Sequence, residues 1–132
     1  MTPWVRVTLA GIVALMAFDA LASIATRLTG VPYTSWIIGS WLLYGATGYA
    51  AARAVPHAPV QAAAMAGLAL GLADATAGWA ISWALGPGRV PEGLTVMRWA
   101  RTAVLVAAMA AGVAAFGGVL GRPRADSERV RS

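Results

Sequence analysis

Four long apolar stretches constrain this chain more than any other feature of its sequence. They cover residues 5–27, 36–54, 60–85 and 100–121, and each is close to the roughly 20 residues that a helix needs to cross a hydrocarbon core. Only 11% of the 132 residues are charged, whereas a water-soluble domain carries about 25% charged residues. A soluble globule is therefore not expected. The pattern predicts an all-α membrane protein, an antiparallel bundle of four transmembrane helices.

Short breaks with turn-forming residues separate the stretches. Pro occurs in all three breaks, at 29–32, 55–59 and 86–93, and each break fits a hairpin between antiparallel helices. Pro91 and Glu92 are suited to open the last helix, since Pro favours the first helical position and an acid the first turn. Residues 1–121 thus form the transmembrane domain, and residues 122–132 are expected to be a disordered basic cytoplasmic tail.

The first stretch has a competing interpretation as a signal peptide. Its basic start, its apolar run and the small residues Ala20, Ala22, Ser23 and Ala25 resemble a signal peptide with a cleavage site. Asp19 argues against this interpretation, because a signal peptide disfavours charge inside its apolar region. We therefore expect an uncleaved first transmembrane helix.

The Arg residues indicate the orientation, because cytoplasmic loops carry an excess of basic residues. With the N-terminus inside, six Arg residues lie on the cytoplasmic side and four outside, which is a modest excess that predicts two cytoplasmic termini. The two sets are Arg6, Arg53, Arg122, Arg124, Arg129 and Arg131 against Arg27, Arg89, Arg98 and Arg101. The chain lacks Lys and is rich in Ala, as in GC-rich bacterial genes, so we expect the bacterial inner membrane.

The composition excludes several function classes. The chain has no Cys, and its single histidine, His57, leaves no imidazole cluster for a metal or a catalytic triad. Outside the tail, the Arg residues stand singly between apolar runs, which is typical of membrane flanks and not of a nucleic-acid-binding surface. Ser23, Thr26, Thr76 and Ser82 lack an activating base and are expected to bond to the backbone of their own helices. We therefore predict a non-enzymatic membrane protein without cofactor or metal.

Asp19 and Asp74 are the only acids inside the apolar stretches. A carboxylate at mid-membrane costs about 2.5–3.5 kcal/mol on insertion scales, so it normally faces the bundle interior, a cavity or a partner charge. Each acid lies fourteen residues after the start of its stretch, which predicts one intramembrane polar layer in the outer half of the bundle. Arg98 and Arg101 share a helical face and are the predicted partners in this layer.

Three interpretations of the layer remain open. In the structural one, ion pairs or hydrogen bonds fix the register of the helices. In the functional one, two desolvated or coupled carboxyls load and release protons, or bind a cation. In the third, an Asp faces a partner subunit.

An offset of 55 residues relates the first and third helices. It aligns the two acids, and it also aligns Ala14-Leu15 with Ala69-Leu70 and Pro32 with Pro87. Such a pattern is typical of two parallel helix-pair repeats. The second and fourth helices do not align at the same offset, so the repeat stays one possible architecture.

Most of the aromatic residues fall in the outer half under this orientation. An interfacial belt of amphipathic rings accounts for the distribution. The alternative is an outward-facing aromatic pocket, in which Trp79 and Trp83, four residues apart on one helical face, form a wall. The pocket candidates are Trp36, Trp41, Trp79 and Trp83.

Glycines at helical spacing predict close packing of the helices. In lipid, close approach at small residues replaces the hydrophobic drive. In the third helix, Gly67, Gly71 and Gly78 lie with Asp74 on one predicted stripe that should face another helix. The candidate packing residues are Gly67, Gly71, Gly78, Gly117 and Gly121. They indicate a tight bundle in the lipid bilayer, with a face left for a homo-oligomer or a larger membrane complex.

Four helices in about this length resemble, by size alone, the small multidrug exporters and the dual-topology fluoride channels. The exporters carry a membrane-embedded Glu in the first helix, where this chain has the shorter Asp19, and fluoride channels rely on membrane-embedded Asn, which this chain lacks. The resemblance ends there and identifies no family. The first functional hypothesis is a non-enzymatic packing or assembly component. The alternative is a small transporter or proton-coupled exporter with Asp19 and Asp74 as its protonatable groups.

Overall fold

The computed structural model describes residues 1–86 and 93–123. The described residues form helices and the short turns between them, and they contain no strand. The α-helices are α1 (Pro3–Thr29), α2 (Ile37–Ala54), α3 (Pro59–Ala73), α4 (Trp79–Leu85) and α5 (Val96–Leu120). A 3₁₀ turn, Tyr33–Trp36, precedes α2, and a π-turn, Asp74–Gly78, joins α3 to α4. The third predicted helix is therefore one continuous helical segment whose middle is wider than an α-helix.

Local capping residues set the ends of the helices. Gly30 ends α1 in the left-handed conformation, with a φ of 73°, and donates its N–H to the Thr26 carbonyl oxygen, as C-terminal glycines do. Thr95 caps α5 by accepting a hydrogen bond from the Arg98 N–H. The last helix thus begins at Val96, four residues before the predicted start. Pro91 and Glu92, the predicted helix openers, and residues 124–132 of the predicted tail lie outside the described residues.

Three of the four long helical segments are apolar enough to cross a membrane by length and composition. These segments are Pro3–Thr29, Pro59–Leu85 and Val96–Leu120. The second segment, α2, is only 18 residues long and carries Tyr44, Thr47, Tyr49 and Arg53. These polar groups make it less apolar than the other three.

Small residues let α5 approach α2 and α3 closely. A Cβ on Gly67 would lie 2.5 Å from the Ala110 carbonyl oxygen, and one on Gly71 would lie 2.6 Å from the Cα of Ala107. Both glycines therefore face α5. Gly117 and Gly121 face α2, where their missing side chains leave room for the carbonyl oxygens of Gly45 and Tyr49.

Gly78 does not continue the α5-facing stripe of Gly67 and Gly71. It faces α1, where a Cβ would meet the Asp19 carboxyl. The reason is the π-turn, because one extra residue in a turn rotates everything after it by about 100°. The single stripe predicted for the third helix is therefore divided between two neighbours.

The first and third segments run side by side in the same direction. Near their N-terminal ends, the Trp4 indole N–H donates to the Ala62 carbonyl oxygen at 2.9 Å. Further along, Asp19 lies beside Gly78 and Ser23 beside Gly86. This parallel alignment brings the two acids of the sequence to the same level.

The interior of the fold is built from small residues. Among the described residues, the buried hydrophobic side chains are all Ala except Leu15, Tyr44 and Leu70. Large apolar side chains lie outside instead, at exposures such as 69% for Val13 and 68% for Leu105. The distribution is the reverse of that in a soluble domain, where large apolar side chains fill the core.

Candidate functional site

Two carboxyl groups meet where α1 passes the π-turn. Asp19, on α1, is fully buried, and Asp74 is the first residue of the π-turn. A Cβ on Gly78 would lie 2.5 Å from Oδ2 of Asp19 and 2.8 Å from Oδ1 of Asp74. Oδ2 of Asp19 and Oδ1 of Asp74 are therefore at most 5.3 Å apart, the sum of these two distances. Only a residue without a side chain at position 78 leaves this space to the acids.

Each carboxyl accepts a hydrogen bond from a tyrosine of a different element. The Tyr33 hydroxyl, in the 3₁₀ turn, donates to Oδ1 of Asp19 at 2.8 Å. The Tyr44 hydroxyl, on α2, donates to Oδ2 of Asp74. Burial raises the pKa of Tyr33, and the nearby carboxyls raise it further, so its hydroxyl keeps its proton and acts as a donor.

The π-turn positions Asp74 and is itself tied to α5. The Trp99 indole N–H donates to the Ala75 carbonyl oxygen at 3.2 Å, which supplies this carbonyl with a partner from α5. Thr76 donates back to the Leu72 carbonyl oxygen at 2.7 Å. Single π-turns inside α-helices occur frequently at functional sites, and this one carries an acid.

A cavity of about 190 Å³ opens beside Asp74. Its walls are mainly aromatic and apolar, and Tyr44 lies next to the carboxyl that it bonds. Three of the four predicted pocket residues, Trp36, Trp41 and Trp79, line this cavity. The arrangement is a carboxyl exposed to an aromatic chamber, the inner cavity.

A second cavity of about 360 Å³ adjoins the first and shares Tyr33 and Trp79 with it. Trp83, the fourth predicted pocket residue, lines this outer cavity, and its ring centroid lies 6.2 Å from that of Trp79 at an interplanar angle of 45°. Arg98 also lines the outer cavity. Of the two neighbouring cavities, one is therefore lined by an acid, Asp74, and the other by a base, Arg98.

The structure does not bring Arg98 and Arg101 into the polar layer predicted for them. Both side chains are exposed, and the described partners of the two acids are the tyrosines, not the arginines. The reason lies in α5, which turns its Ala and Gly face inward. Arg98 lines the outer cavity, whereas Arg101 lies with Val104 and Leu105 on the exposed face of α5.

The expectation for the hydroxyls is correct for Thr76 and wrong for Ser23 and Thr26. Thr76 bonds to the backbone of its own helix. Ser23 Oγ and Thr26 Oγ1 are buried and have no hydrogen-bond partner among the described residues. Oδ2 of Asp19 shares this property, so three unpartnered oxygens lie along one side of α1.

Sequence reasoning missed Tyr44, although a depth count finds it. Tyr44 lies seven residues into α2, or about 10 Å from the end where that helix begins, at about 1.5 Å per residue. Asp74 lies fifteen residues from the start of α3, or about 22 Å from the opposite end by the same rise. In antiparallel helices that cross a core of about 30 Å, these depths nearly coincide.

No group of three His, Cys, Asp or Glu side chains is placed to hold a metal ion within residues 1–86 and 93–123. His57 is exposed in the turn before α3. A functional interpretation of this fold rests on the acid pair and on the two cavities beside it.

The chain matches no protein-family model, no curated protein and no solved structure.

Proposed function

We propose that the chain is a small multi-pass membrane transporter in which the Asp19–Asp74 pair binds a proton and a cationic cargo in alternation. The observation that carries the proposal is the position of Asp74. Its carboxyl shares the space beside Gly78 with the buried Asp19, and it also lines the aromatic inner cavity. A group in this position responds both to a proton at its neighbour and to a ligand in the cavity.

The exposed apolar surface supports a membrane location. Large side chains such as Leu21, Leu105 and Leu120 are each more than half exposed, and soluble monomers rarely expose apolar patches beyond a few hundred Å². Lipid is the solvent in which such a surface is stable, and a small-residue interior is typical of membrane helix bundles.

The finer placement also belongs to this proposal. We propose that four segments cross the bacterial inner membrane as an antiparallel bundle with both termini in the cytoplasm, α2 being sheltered by its neighbours. The Arg excess on one side supports this orientation. The 55-residue repeat stays a prediction, supported by the two acids meeting at one level and opposed by the π-turn that only the third segment contains.

The environment of the acids favours binding of positive charge. Two carboxylates this close together repel each other, and among the described residues only tyrosine hydroxyls bond to them. A proton or a cation relieves this repulsion, so the two compete for the pair. Such competition is the elementary requirement for exchanging one against the other across a membrane.

The walls of the inner cavity indicate an organic cation as the cargo. Trp36, Trp41 and Trp79 line this cavity, and a cation over the face of a Trp ring gains roughly 0.5–2 kcal/mol. A small inorganic cation would gain more from water than from these walls. Arg98 carries the opposite charge preference in the outer cavity, so a cation is more stable in the inner one.

Isothermal titration calorimetry with benzyltrimethylammonium tests this proposal on the full chain in dodecyl maltoside. Titrations in two buffers of different ionisation enthalpy give both the affinity and the number of protons released. We expect binding with proton release, and Asp74→Asn should lower the affinity at least about tenfold, which is about 1.4 kcal/mol. Proton release should disappear in the same variant.

Trp4→Phe is the matched control, since Trp4 lies at the far end of the bundle beside Ala62. This variant should bind and release protons as the native chain does. Radiolabelled uptake into proteoliposomes under a pH gradient then tests transport itself. The proposal is wrong if the native chain does not bind the cation, or if Asp74→Asn binds it as tightly and with the same proton release.

A packing or assembly role, the first hypothesis from the sequence, is the second candidate. The close contacts of Gly67, Gly71 and Gly117 with neighbouring backbones favour it. In that case the native chain should not bind the cation, and Asp19→Asn and Asp74→Asn should change only the stability of the bundle. Thermal unfolding of both variants, compared with the calorimetry, separates the two candidates.

A further inference from the structure

Three buried oxygens form a row along α1 that leads away from the acid pair. They belong to Asp19, Ser23 and Thr26, whose spacing of four and three residues places them on one helical face. The side chains are 0%, 0% and 6% exposed. Oδ2 of Asp19, Oγ of Ser23 and Oγ1 of Thr26 all lack a hydrogen-bond partner among the described residues.

Four threonine hydroxyls of the bundle make a backbone bond that Ser23 and Thr26 lack. Four threonines each donate to the carbonyl oxygen four residues earlier, at 2.7–3.0 Å, and they are Thr8, Thr29, Thr76 and Thr102. Ser23 and Thr26 do not make this bond. A buried hydroxyl that leaves its own backbone unbonded implies another partner, and ordered water is the usual one.

The geometry of the row fits single water molecules. Neighbours on a helical face have Cβ atoms about 5–6 Å apart, and one water with two hydrogen bonds of about 2.8 Å spans that distance. Gly86 lies beside the middle member of the row. A Cβ there would lie 3.5 Å from Ser23 Oγ and 2.6 Å from the Ser82 carbonyl oxygen, so a second polar group lies near Ser23.

We propose that a hydrogen-bonded row of waters along Asp19, Ser23 and Thr26 carries protons between the acid pair and the Gly30 end of α1. Each water accepts a proton from one neighbour and donates one to the next, and Asp19 takes or gives the last. Asp74 lines the inner cavity, which Asp19, Ser23 and Thr26 do not line, so cargo and proton reach the pair by different routes. This inference rests on the proposed function, for which it supplies a separate proton route.

Infrared spectroscopy of carboxyl hydrogen exchange tests the row without any cargo. The full chain in dodecyl maltoside, at a pH low enough to protonate both acids, is mixed rapidly with D₂O. The shift of the Asp19 C=O band, assigned by its loss in Asp19→Asn, reports the exchange rate. Ser23→Ala and Thr26→Val should each slow this rate about tenfold, the equivalent of about 1.4 kcal/mol in the barrier.

Thr8→Val is the matched control, because it also removes a hydroxyl from α1 but at the other end of the helix. Its exchange rate should equal that of the native chain.

The row of waters is refuted if all the variants exchange at the same rate as the native chain, or if Thr8→Val slows exchange as much as Ser23→Ala does. Slow exchange in the native chain would also refute the row, because the interface beside Ser23 and Thr26 would then contain no water. Absence of cation binding would instead count against the transporter alone, so the two failures are distinguishable.

Discussion

The contact between α2 and α5 gives a sharp prediction, because two glycines of one helix differ only in what a methyl group would meet. A Cβ on Gly48 would run into the backbone of Ala114, whose carbonyl carbon and Cα would both lie 2.6 Å away. A Cβ on Gly45, three residues earlier, would meet only Cγ1 of Val113, at 4.0 Å. Gly45→Ala is thus the matched control for Gly48→Ala.

The magnitudes follow from two opposing effects. Exchanging Gly for Ala inside a helix favours the helix by about 1 kcal/mol, and both variants gain this. Overpacking costs about 1–3 kcal/mol, and the upper value applies at Gly48 because a backbone obstacle has no rotamer to change. We therefore expect Gly45→Ala to be about 1 kcal/mol more stable than the native chain and Gly48→Ala about 2 kcal/mol less stable.

Reversible unfolding by SDS in dodecyl maltoside micelles, followed by tryptophan fluorescence, measures both free energies of unfolding. The expected separation of the two variants is about 3 kcal/mol. A separation below about 0.5 kcal/mol, the ordinary scatter of surface substitutions, would refute the close approach of α2 to α5.

The same unfolding assay checks three further variants. Tyr44→Phe removes the donor to Asp74 and should cost about 1.5–3 kcal/mol, because the lost bond involves a carboxyl. Trp99→Phe removes the bond to the π-turn and should cost about 1 kcal/mol; an unchanged stability would mean that this bond contributes nothing. Arg101→Gln should stay within about 0.5 kcal/mol of the native chain, whereas a large loss would support the predicted ion pair of Arg101 with an acid, which the described residues do not form.

The helical segments and the meeting of the acids were accessible from the sequence. Apolar length and Pro–Gly breaks determine where a helix can run, and an equal count from the start of two parallel helices brings Asp19 and Asp74 to one level. The pocket tryptophans follow from the same count. These features depend only on position along a helix axis, which rises at a constant rate.

The partners of the acids were not accessible, because they depend on rotation about the helix axes. Arg101 is near the acids in depth but points outward, since the Ala and Gly face of α5 is the one that fits α2 and α3. The π-turn adds a second rotation, and the residue types in 74–78 do not predict that a π-turn forms there. Tyr44 becomes the donor to Asp74 only after both rotations are known.

The glycines at the α2–α5 contact determine the kind of cohesion as well as its distance. The hydrogen that Gly48 carries in place of a Cβ points at the carbonyl oxygen of Ala114, and that of Gly117 points at the carbonyl oxygen of Gly45. Such Cα–H···O hydrogen bonds are worth about 0.5–1 kcal/mol each. They run in both directions between the helices, and they do not depend on expelling water. The bundle therefore has an attraction that persists in a solvent as apolar as its own side chains.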